Sequence, residues 1–174
     1  MIHVYIGDGK GKTSAALGLA LRAAGYGKRV YIAQFLKDKK FPSGEITAIE
    51  KYLEPLTIER FDCQVHPMFA KGTALTARQV KDSVRKALRK IRQSLAAKEF
   101  DVYVLDEVLN ALAGGFCSER ALGRIIEEAG HVELVMTGRT APQKIITSSD
   151  YVSIIKKCRH PFDKRISARK GIDY

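Results

Sequence analysis

A glycine-rich segment near the N-terminus has the residue types and spacing that bind phosphate groups. It reads Gly7-Asp8-Gly9-Lys10-Gly11-Lys12-Thr13-Ser14 and follows an apolar run that ends at Ile6. Alternate glycines let successive backbone N–H groups point at phosphate oxygens, and the start of the following helix adds a partial positive charge. Lys12 would reach the β- and γ-phosphates of a nucleotide, and the Thr13 hydroxyl would bind Mg²⁺. The segment therefore predicts a P-loop that holds the triphosphate of ATP.

This loop is one residue shorter than the general pattern G-x-x-x-x-G-K-[ST], which would place a glycine where this chain has Ile6. The alternative interpretation is a lysine-rich surface turn. An apolar strand before the segment and a helical pattern after it favour the P-loop.

Two acidic residues, Asp106 and Glu107, directly follow the apolar run Val102-Tyr103-Val104-Leu105. An acid at the end of a buried strand can hold Mg²⁺ directly or through water, as in a Walker B segment. The alternative is that Asp106 caps a helix and Glu107 interacts with its dipole. The two roles can coexist, so Thr13, Asp106 and Glu107 are the candidate metal ligands.

A third segment, Thr137-Gly138-Arg139, also follows an apolar run. Arg139 would contact a phosphate in bidentate fashion, although a glycine turn with a solvated arginine fits the same residues. Nothing in the sequence resembles a Ser/His/Asp or Cys/His arrangement, and no general base is evident. If the chain is an enzyme, its nucleophile is expected to come from the substrate.

The hydrophobic pattern predicts strands that alternate with helices. Strands are expected at 4–6, 30–36, 56–61, 102–105, 132–136 and 151–155, and helices at 14–24, 77–98, 119–129 and from Pro142. This alternation predicts an α/β fold of the P-loop NTPase type, a parallel sheet with helices on both faces, in one domain over residues 1–174. The candidate segments follow four of these strands, so they are expected to meet at the carboxyl edge of the sheet.

The composition describes a basic globular protein, with a formal net charge of +11 and a sequence pI near 9.7. Such a charge favours anionic ligands without choosing among them. Six basic residues of the long helix could bind nucleic acid: Lys81, Arg85, Lys86, Arg89, Lys90 and Arg92. No aromatic residues lie between them to stack on bases, so we favour the interpretation that they form a solvated face of the helix. No run is long enough to span a membrane, no signal peptide is apparent, and the three separated cysteines suit reduced thiols in the cytoplasm.

Several segments together resemble the P-loop corrinoid adenosyltransferases. The short loop is similar to that family's G-N-G-K-G-K-T-T, and Gln34-Phe35-Leu36-Lys37 matches its Q-F-x-K. Val104-Leu105-Asp106-Glu107, followed by Asn110-Ala111-Leu112, resembles V-L-D-E-x-x-x-A-L. Thr137-Gly138-Arg139 with Ala141-Pro142 resembles T-G-R-x-A-P, and the ending from His160 to Tyr174 is similar to the family's tail.

The resemblance implies transfer of the 5′-deoxyadenosyl group of ATP to the Co(I) centre of a reduced corrinoid, with release of triphosphate. The cobalt would itself attack C5′, which fits the missing general base, and the triphosphate would lie in the loop with reversed polarity. Lys12 and Glu107 would be catalytic, and Thr13 and Glu107 would share Mg²⁺. The implied nucleotide-binding residues are the loop from Gly7 to Ser14 together with Gln34, Lys37, Asn110 and Arg139. Family members are commonly homodimers, and a separate protein would reduce the corrinoid.

Two features depart from the family pattern. The chain begins directly at its first strand, so we expect an open site with slow or partner-dependent turnover, and it has no tryptophan. The candidates for an apolar corrinoid platform are therefore Phe41, Met68, Phe69 and Phe116. The alternative functions are a P-loop ATPase or kinase that acts at the γ-phosphate, and a non-catalytic module that binds nucleotide or nucleic acid.

Overall fold

The computed structural model describes residues 1–37, 43–61 and 74–172 of the chain. Six strands form one sheet. They are β1 (Ile2–Ile6), β2 (Val30–Gln34), β3 (Leu56–Arg60), β4 (Val102–Asp106), β5 (Glu133–Thr137) and β6 (Tyr151–Ile154). The strand order is β3-β2-β4-β5-β1-β6, and every neighbouring pair is parallel.

Helices connect successive strands. They are α1 (Lys12–Gly25), α2 (Gly44–Tyr52), α3 (Ala74–Ala96), α4 (Val108–Ala113), α5 (Glu119–Glu128) and α6 (Gln143–Thr147), with a short 3₁₀ helix at Pro161–Lys164. None of the helices in the described part of the chain combines the length and the apolar character needed to cross a bilayer.

The two faces of the sheet have separate hydrophobic cores. Helices α1 and α2 pack on one face, where Ala16, Ala20 and Ile49 meet Ile32 and Val104. Helices α3 and α5, with α4 and α6, cover the other face. Because β1 and β2 lead to helices on one face while β4 and β5 lead to helices on the other, a crevice opens at their carboxyl ends.

Helix α3 follows the predicted pattern closely. Val80, Val84, Leu88, Ile91 and Leu95 are all buried against the sheet. Apolar residues spaced three and four apart lie on one face of a helix, and this face is the one that packs inward. The predicted α/β fold of the P-loop type, with a parallel sheet and helices on both faces, is confirmed.

Two helices were not predicted from the sequence. Ser43 and Gly44 stand among charged residues, a composition typical of a loop, but α2 begins at Gly44 after Ser43 and buries only Ile49. Helix α4 has six residues, directly after β4. Helices this short show too few turns for a period of 3.6 residues to stand out, so the neighbouring Pro, Ser and Gly residues dominated the pattern.

Candidate nucleotide-binding site

The predicted segments meet at the carboxyl edge of three adjacent strands, β4, β5 and β1. The N–H of Gly7 donates to the carbonyl of Arg139 at 3.0 Å, and the N–H of Gly138 donates to the carbonyl of Tyr5 at 3.1 Å. Gly138 is buried, and a Cβ there would lie 2.5 Å from Cβ of Leu109 at the start of α4. The glycine of the Thr137-Gly138-Arg139 segment is therefore needed for α4 to pack beside β5.

The glycine loop rests on the backbone that follows β6. The N–H of Gly9 donates to the carbonyl of Ile155 at 2.8 Å. Gly7 has a φ of +120°, and a Cβ there would lie 2.2 Å from that same carbonyl oxygen. Gly11 has a similar φ of +114°, but among the described residues no atom beyond its chain neighbours lies within 4 Å of its Cβ position. The loop thus needs glycine at position 7 for space as well as for backbone conformation.

Gly7→Ala is expected to destabilise the protein by about 2 kcal/mol more than Gly11→Ala, because both alanines are strained by a positive φ but only the first meets a backbone oxygen. Thermal unfolding of the two variants would measure the difference as a gap of several degrees in Tm. Equal melting temperatures would contradict the close packing of Gly7 on Ile155.

Lys12 folds back into the loop. Its ammonium donates to the carbonyl of Gly7 at 2.8 Å and to that of Gly9 at 2.7 Å. Partial burial, together with the nearby positive charge of Arg139, lowers the pKa of Lys12. The site therefore holds a cation that has lost part of its hydration beside a second cation. A bound polyphosphate would compensate both charges.

Asp106, the last residue of β4, is the centre of the polar network. Its side chain is 1% exposed, and Oδ1 accepts hydrogen bonds from the hydroxyls of Thr13 at 2.9 Å and Thr137 at 2.8 Å. Oδ2 accepts from the ammonium of Lys37 at 2.7 Å. A buried carboxylate needs such partners, since losing them would cost several kcal/mol. Asp106 thus links the start of α1 to the ends of β2 and β5.

Glu107 occupies an unusual backbone position between β4 and α4. It is the N-cap residue of α4 with a left-handed φ of 65°, and its N–H donates to the hydroxyl of Thr137 at 2.8 Å. The alternative that Asp106 caps this helix is therefore wrong, because Asp106 still belongs to β4 and its carboxylate bonds across the sheet. Thr137 holds both acids at once, a role that the sequence had not revealed.

The carboxyl group of Glu107 lies in the same site. Burial, and then the negative charge of Asp106, raise its pKa, while Lys37, Asn110 and Lys12 oppose the shift. Asn110 also accepts a hydrogen bond from the N–H of Arg139 at 2.7 Å through Oδ1. Asn110 therefore connects Glu107 to the end of β5, and a cation bound beside Glu107 would favour its ionised form.

Gln34 and Lys37 reach the network from the end of β2. Gln34 is fully buried, and its amide oxygen accepts two hydrogen bonds from the guanidinium of Arg60, at 3.1 and 3.0 Å. Its amide nitrogen donates to Glu45 at 3.2 Å. Gln34, predicted as a nucleotide contact, is thus occupied by protein partners and fixes the geometry around Asp106. Arg60 and Glu45 were missed because each is a single charged residue outside the motifs.

The oxygen atoms of Thr13, Asp106 and Glu107 form a donor set that suits Mg²⁺. They come from one hydroxyl and two carboxylates, which are hard ligands, and an ammonium already lies beside Asp106 where a positive charge is stabilised. Among the described residues, no three His, Cys, Asp or Glu side chains gather into a metal site. Mg²⁺ commonly uses one or two carboxylates and takes its other ligands from phosphates and water.

Asp8 and Lys10 of the loop hold the C-terminal region. Asp8 accepts a hydrogen bond from the N–H of Lys157 at 3.0 Å, and this bond is the main cause of its lowered pKa. The ammonium of Lys10 donates to the carbonyl of Ile172 at 3.0 Å. The tail therefore lies against the loop, which explains why motifs at opposite ends of the sequence belong to one site.

Other predicted residues lie elsewhere. Ser14 is exposed in the first turn of α1, and Arg139 is exposed with its charge near Lys12. Phe116 follows α4 and packs, partly buried, against the core. The remaining candidates for the corrinoid platform, Phe41, Met68 and Phe69, lie outside the described residues.

Comparisons with known proteins identify the family of this chain. The family model described as ATP:corrinoid adenosyltransferase BtuR/CobO/CobP matches residues 1–174. The corrinoid adenosyltransferase of Escherichia coli K12 is 33% identical over 179 residues, which cover 100% of this chain and 85% of that protein. CobA of Salmonella typhimurium LT2 is also 33% identical, with the same coverage.

A solved structure extends the comparison to the fold. The KaiC-like protein PH0186 from Pyrococcus horikoshii OT3 superposes with a TM-score of 0.56 at 15% identity, covering 89% of this chain and 71% of that one. That likeness concerns the fold alone. The match of the family model over the whole chain, with relatives at 33% identity, establishes that this chain belongs to the ATP:corrinoid adenosyltransferase family.

Proposed function

We propose that this enzyme transfers the 5′-deoxyadenosyl group of ATP to the Co(I) centre of a reduced corrinoid and releases triphosphate, as part of cobalamin biosynthesis or salvage. The observation that carries the proposal is the loop from Gly7 to Ser14, with the Lys12 ammonium inside it and Asp106 and Glu107 beside it, in a chain of this family.

The loop and Lys12 act on the leaving group. When C5′ is attacked, negative charge grows on the oxygen that joins it to the triphosphate. The N–H groups of Gly7 and Gly9 already donate to protein carbonyls, so the other backbone N–H groups of the loop, together with the desolvated ammonium of Lys12, would stabilise this charge. Arg139 adds a second positive charge close to Lys12. The same residues would keep C5′ oriented toward the corrinoid.

Mg²⁺ belongs to this proposal, with Thr13, Asp106 and Glu107 as the residues that would hold it. When bound, it would neutralise part of the charge on the triphosphate. Three residues would position these ligands. Thr137 donates a hydrogen bond to Asp106, and Asn110 forms one with Glu107. Lys37 balances the charge of Asp106 in the protein without metal.

Lys37→Met is expected to raise the affinity of the nucleotide-free protein for Mn²⁺ by about ten-fold, because the ammonium would no longer compete with the metal for Asp106. Electron paramagnetic resonance of bound Mn²⁺ would measure the affinity. Lys51→Met, which removes an exposed lysine in the last turn of α2, is the matched control. An unchanged or weaker affinity in Lys37→Met would show that Lys37 does not compete for a metal position.

The proposal also includes protein partners. A second copy of the chain would dock along β6, which forms one edge of the sheet and exposes Tyr151, Val152 and Ile154. A separate protein would supply the reduced corrinoid, since Co(I) is strongly reducing and must be generated next to its use. The free thiols of Cys117 and Cys158 suit a cytoplasmic location.

An anaerobic assay with ATP, Mg²⁺ and chemically reduced cob(I)alamin tests the function. The expected result is loss of the cob(I) absorbance, a light-sensitive adenosylated product and one triphosphate per turnover. Release of inorganic phosphate without corrinoid would favour the alternative of an ATPase or kinase. Tight ATP binding without any cobalt–carbon bond would overturn the assignment of the second substrate.

A further inference from the structure

A long groove runs between α3 and α5, on the outer surface of the helical layer. Its volume is about 740 Å³, and its walls carry basic side chains: Lys81, Arg85, Arg89 and Arg92 on α3, and Arg124 on α5. The floor is apolar and includes Leu88, Phe116 and Ala121. None of the catalytic candidates lines this α3–α5 groove.

The charges of the groove are not balanced from within. No aspartate or glutamate is among the described residues that line it. At its lower end, Arg92 pairs with Glu128 of α5, and Arg85 pairs with Asp82 on its own helix at 2.8 Å. The charge of Glu128 also acts on Arg124, whereas Lys81 and Arg89 form no ion pair with a described residue. The groove therefore carries five basic side chains against two nearby carboxylates, and an anionic ligand would reduce this excess of positive charge.

The basic side chains of α3 that line the groove form a long stripe, which we call the basic stripe. Lys81 and Arg92 are separated by about three helical turns, or about 16 Å, and α3 as a whole carries seven basic residues against one acidic residue, Asp82. A single phosphate or carboxylate would contact only part of this stripe. A ligand that paired with the whole row of basic residues would therefore carry negative charges along an extended shape.

The apolar floor selects among extended anions. We propose that the α3–α5 groove binds an acidic amphipathic helix of a partner protein, with apolar side chains on Leu88, Phe116 and Ala121 and carboxylates toward Arg89 and Arg124. The sugar-phosphate backbone of a nucleic acid has no apolar side to cover the floor. A symmetric dimer through this groove would place two copies of the basic helix α3 against each other, which is unfavourable because α3 carries seven basic residues and one acidic residue.

The residues that form one end of the groove follow those of the nucleotide site closely in the sequence. This upper end is formed by residues 115–118, which follow the six-residue helix α4, and α4 starts directly after Glu107. A partner helix in the groove would therefore lie one short helix, about 9 Å long, from the acidic residues of the site. The inference concerns binding and stands independently of the proposed reaction.

Binding of a fluorescein-labelled peptide to the full chain tests the proposal. The probe is a helical peptide of about 16 residues with leucines at positions i, i+3, i+4 and i+7 and glutamates on both sides. We expect a Kd of about 10 µM, weakened at least about ten-fold in Arg89→Glu/Arg124→Glu. The control Lys86→Glu/Lys98→Glu makes the same change in net charge at exposed lysines outside the groove and is expected to bind normally.

Binding measurements with other probes distinguish an amphipathic helix from other kinds of anionic ligand. A scrambled peptide of the same composition, polyglutamate and single-stranded DNA are expected to bind at least about ten-fold more weakly than the helical probe. Ala121→Gln narrows the groove without changing its charge and is expected to weaken binding as well. Hydrogen exchange should slow in residues 81–96 and 115–124. Equal binding of the scrambled peptide, tighter binding of DNA, or a Kd for the helical probe above about 100 µM would each overturn the proposal.

Discussion

Lys12→Ala is expected to lower the rate of adenosyl transfer by about 10²–10³-fold. The ammonium of Lys12 lies inside the loop, where it donates to the carbonyls of Gly7 and Gly9 at 2.8 and 2.7 Å. Removing one preorganised charge that stabilises a leaving group typically costs about 3–4 kcal/mol of transition-state energy. The single-turnover rate with cob(I)alamin measures the loss, and calorimetric titration with ATP separates it from weaker binding.

Lys10→Ala provides the matched control for this variant. Lys10 lies two residues earlier in the same loop, but its ammonium donates to the carbonyl of Ile172 in the C-terminal tail at 3.0 Å. Its loss is expected to change the rate by less than about three-fold. Similar losses in the two variants would indicate that the total charge of the loop matters rather than the position of Lys12. Thermal unfolding of both proteins would exclude a difference in folding.

Much of this architecture could be predicted from the sequence. Strong periodicity identified the strands and the long helix α3, and the placement of motifs after strands predicted that the glycine loop, Asp106 and Thr137 would meet. The family assignment is confirmed over the whole chain. These features were accessible because each is encoded locally, in hydrophobic spacing or in a contiguous motif.

The connections within the site could not be predicted in the same way. Arg60 orients Gln34 through two hydrogen bonds between neighbouring strands, and Asp8 holds Lys157 from the other end of the chain. Such contacts depend on the register between strands that are distant in sequence, and no local pattern reports that register. The left-handed conformation of Glu107 is likewise fixed by packing, since glutamate has no intrinsic preference for it.

Glu107→Gln is expected to lower kcat by about 100-fold and to raise the concentration of Mg²⁺ needed for half-maximal activity. Glutamine has nearly the same shape, so it can keep the backbone bond from position 107 to the hydroxyl of Thr137, at 2.8 Å in the parent protein. The change removes one negative charge from a pair of carboxylates, and the charge is what a divalent cation requires. ATP binding in the absence of metal should be little affected.

The dependence on Mg²⁺ decides between two roles for Glu107. In a purely structural role, the carboxylate would serve only to receive the hydrogen bond of Asn110 and to begin α4. Glutamine can preserve both functions, and the variant would then keep the parent requirement for Mg²⁺. Glu119→Gln, an exposed change in the first turn of α5, controls for the loss of one charge. A reduced kcat with an unchanged Mg²⁺ requirement would argue that Glu107 acts on the substrate rather than on the metal. A shifted requirement together with unchanged ATP binding would support a metal ligand positioned by Thr137 and Asn110.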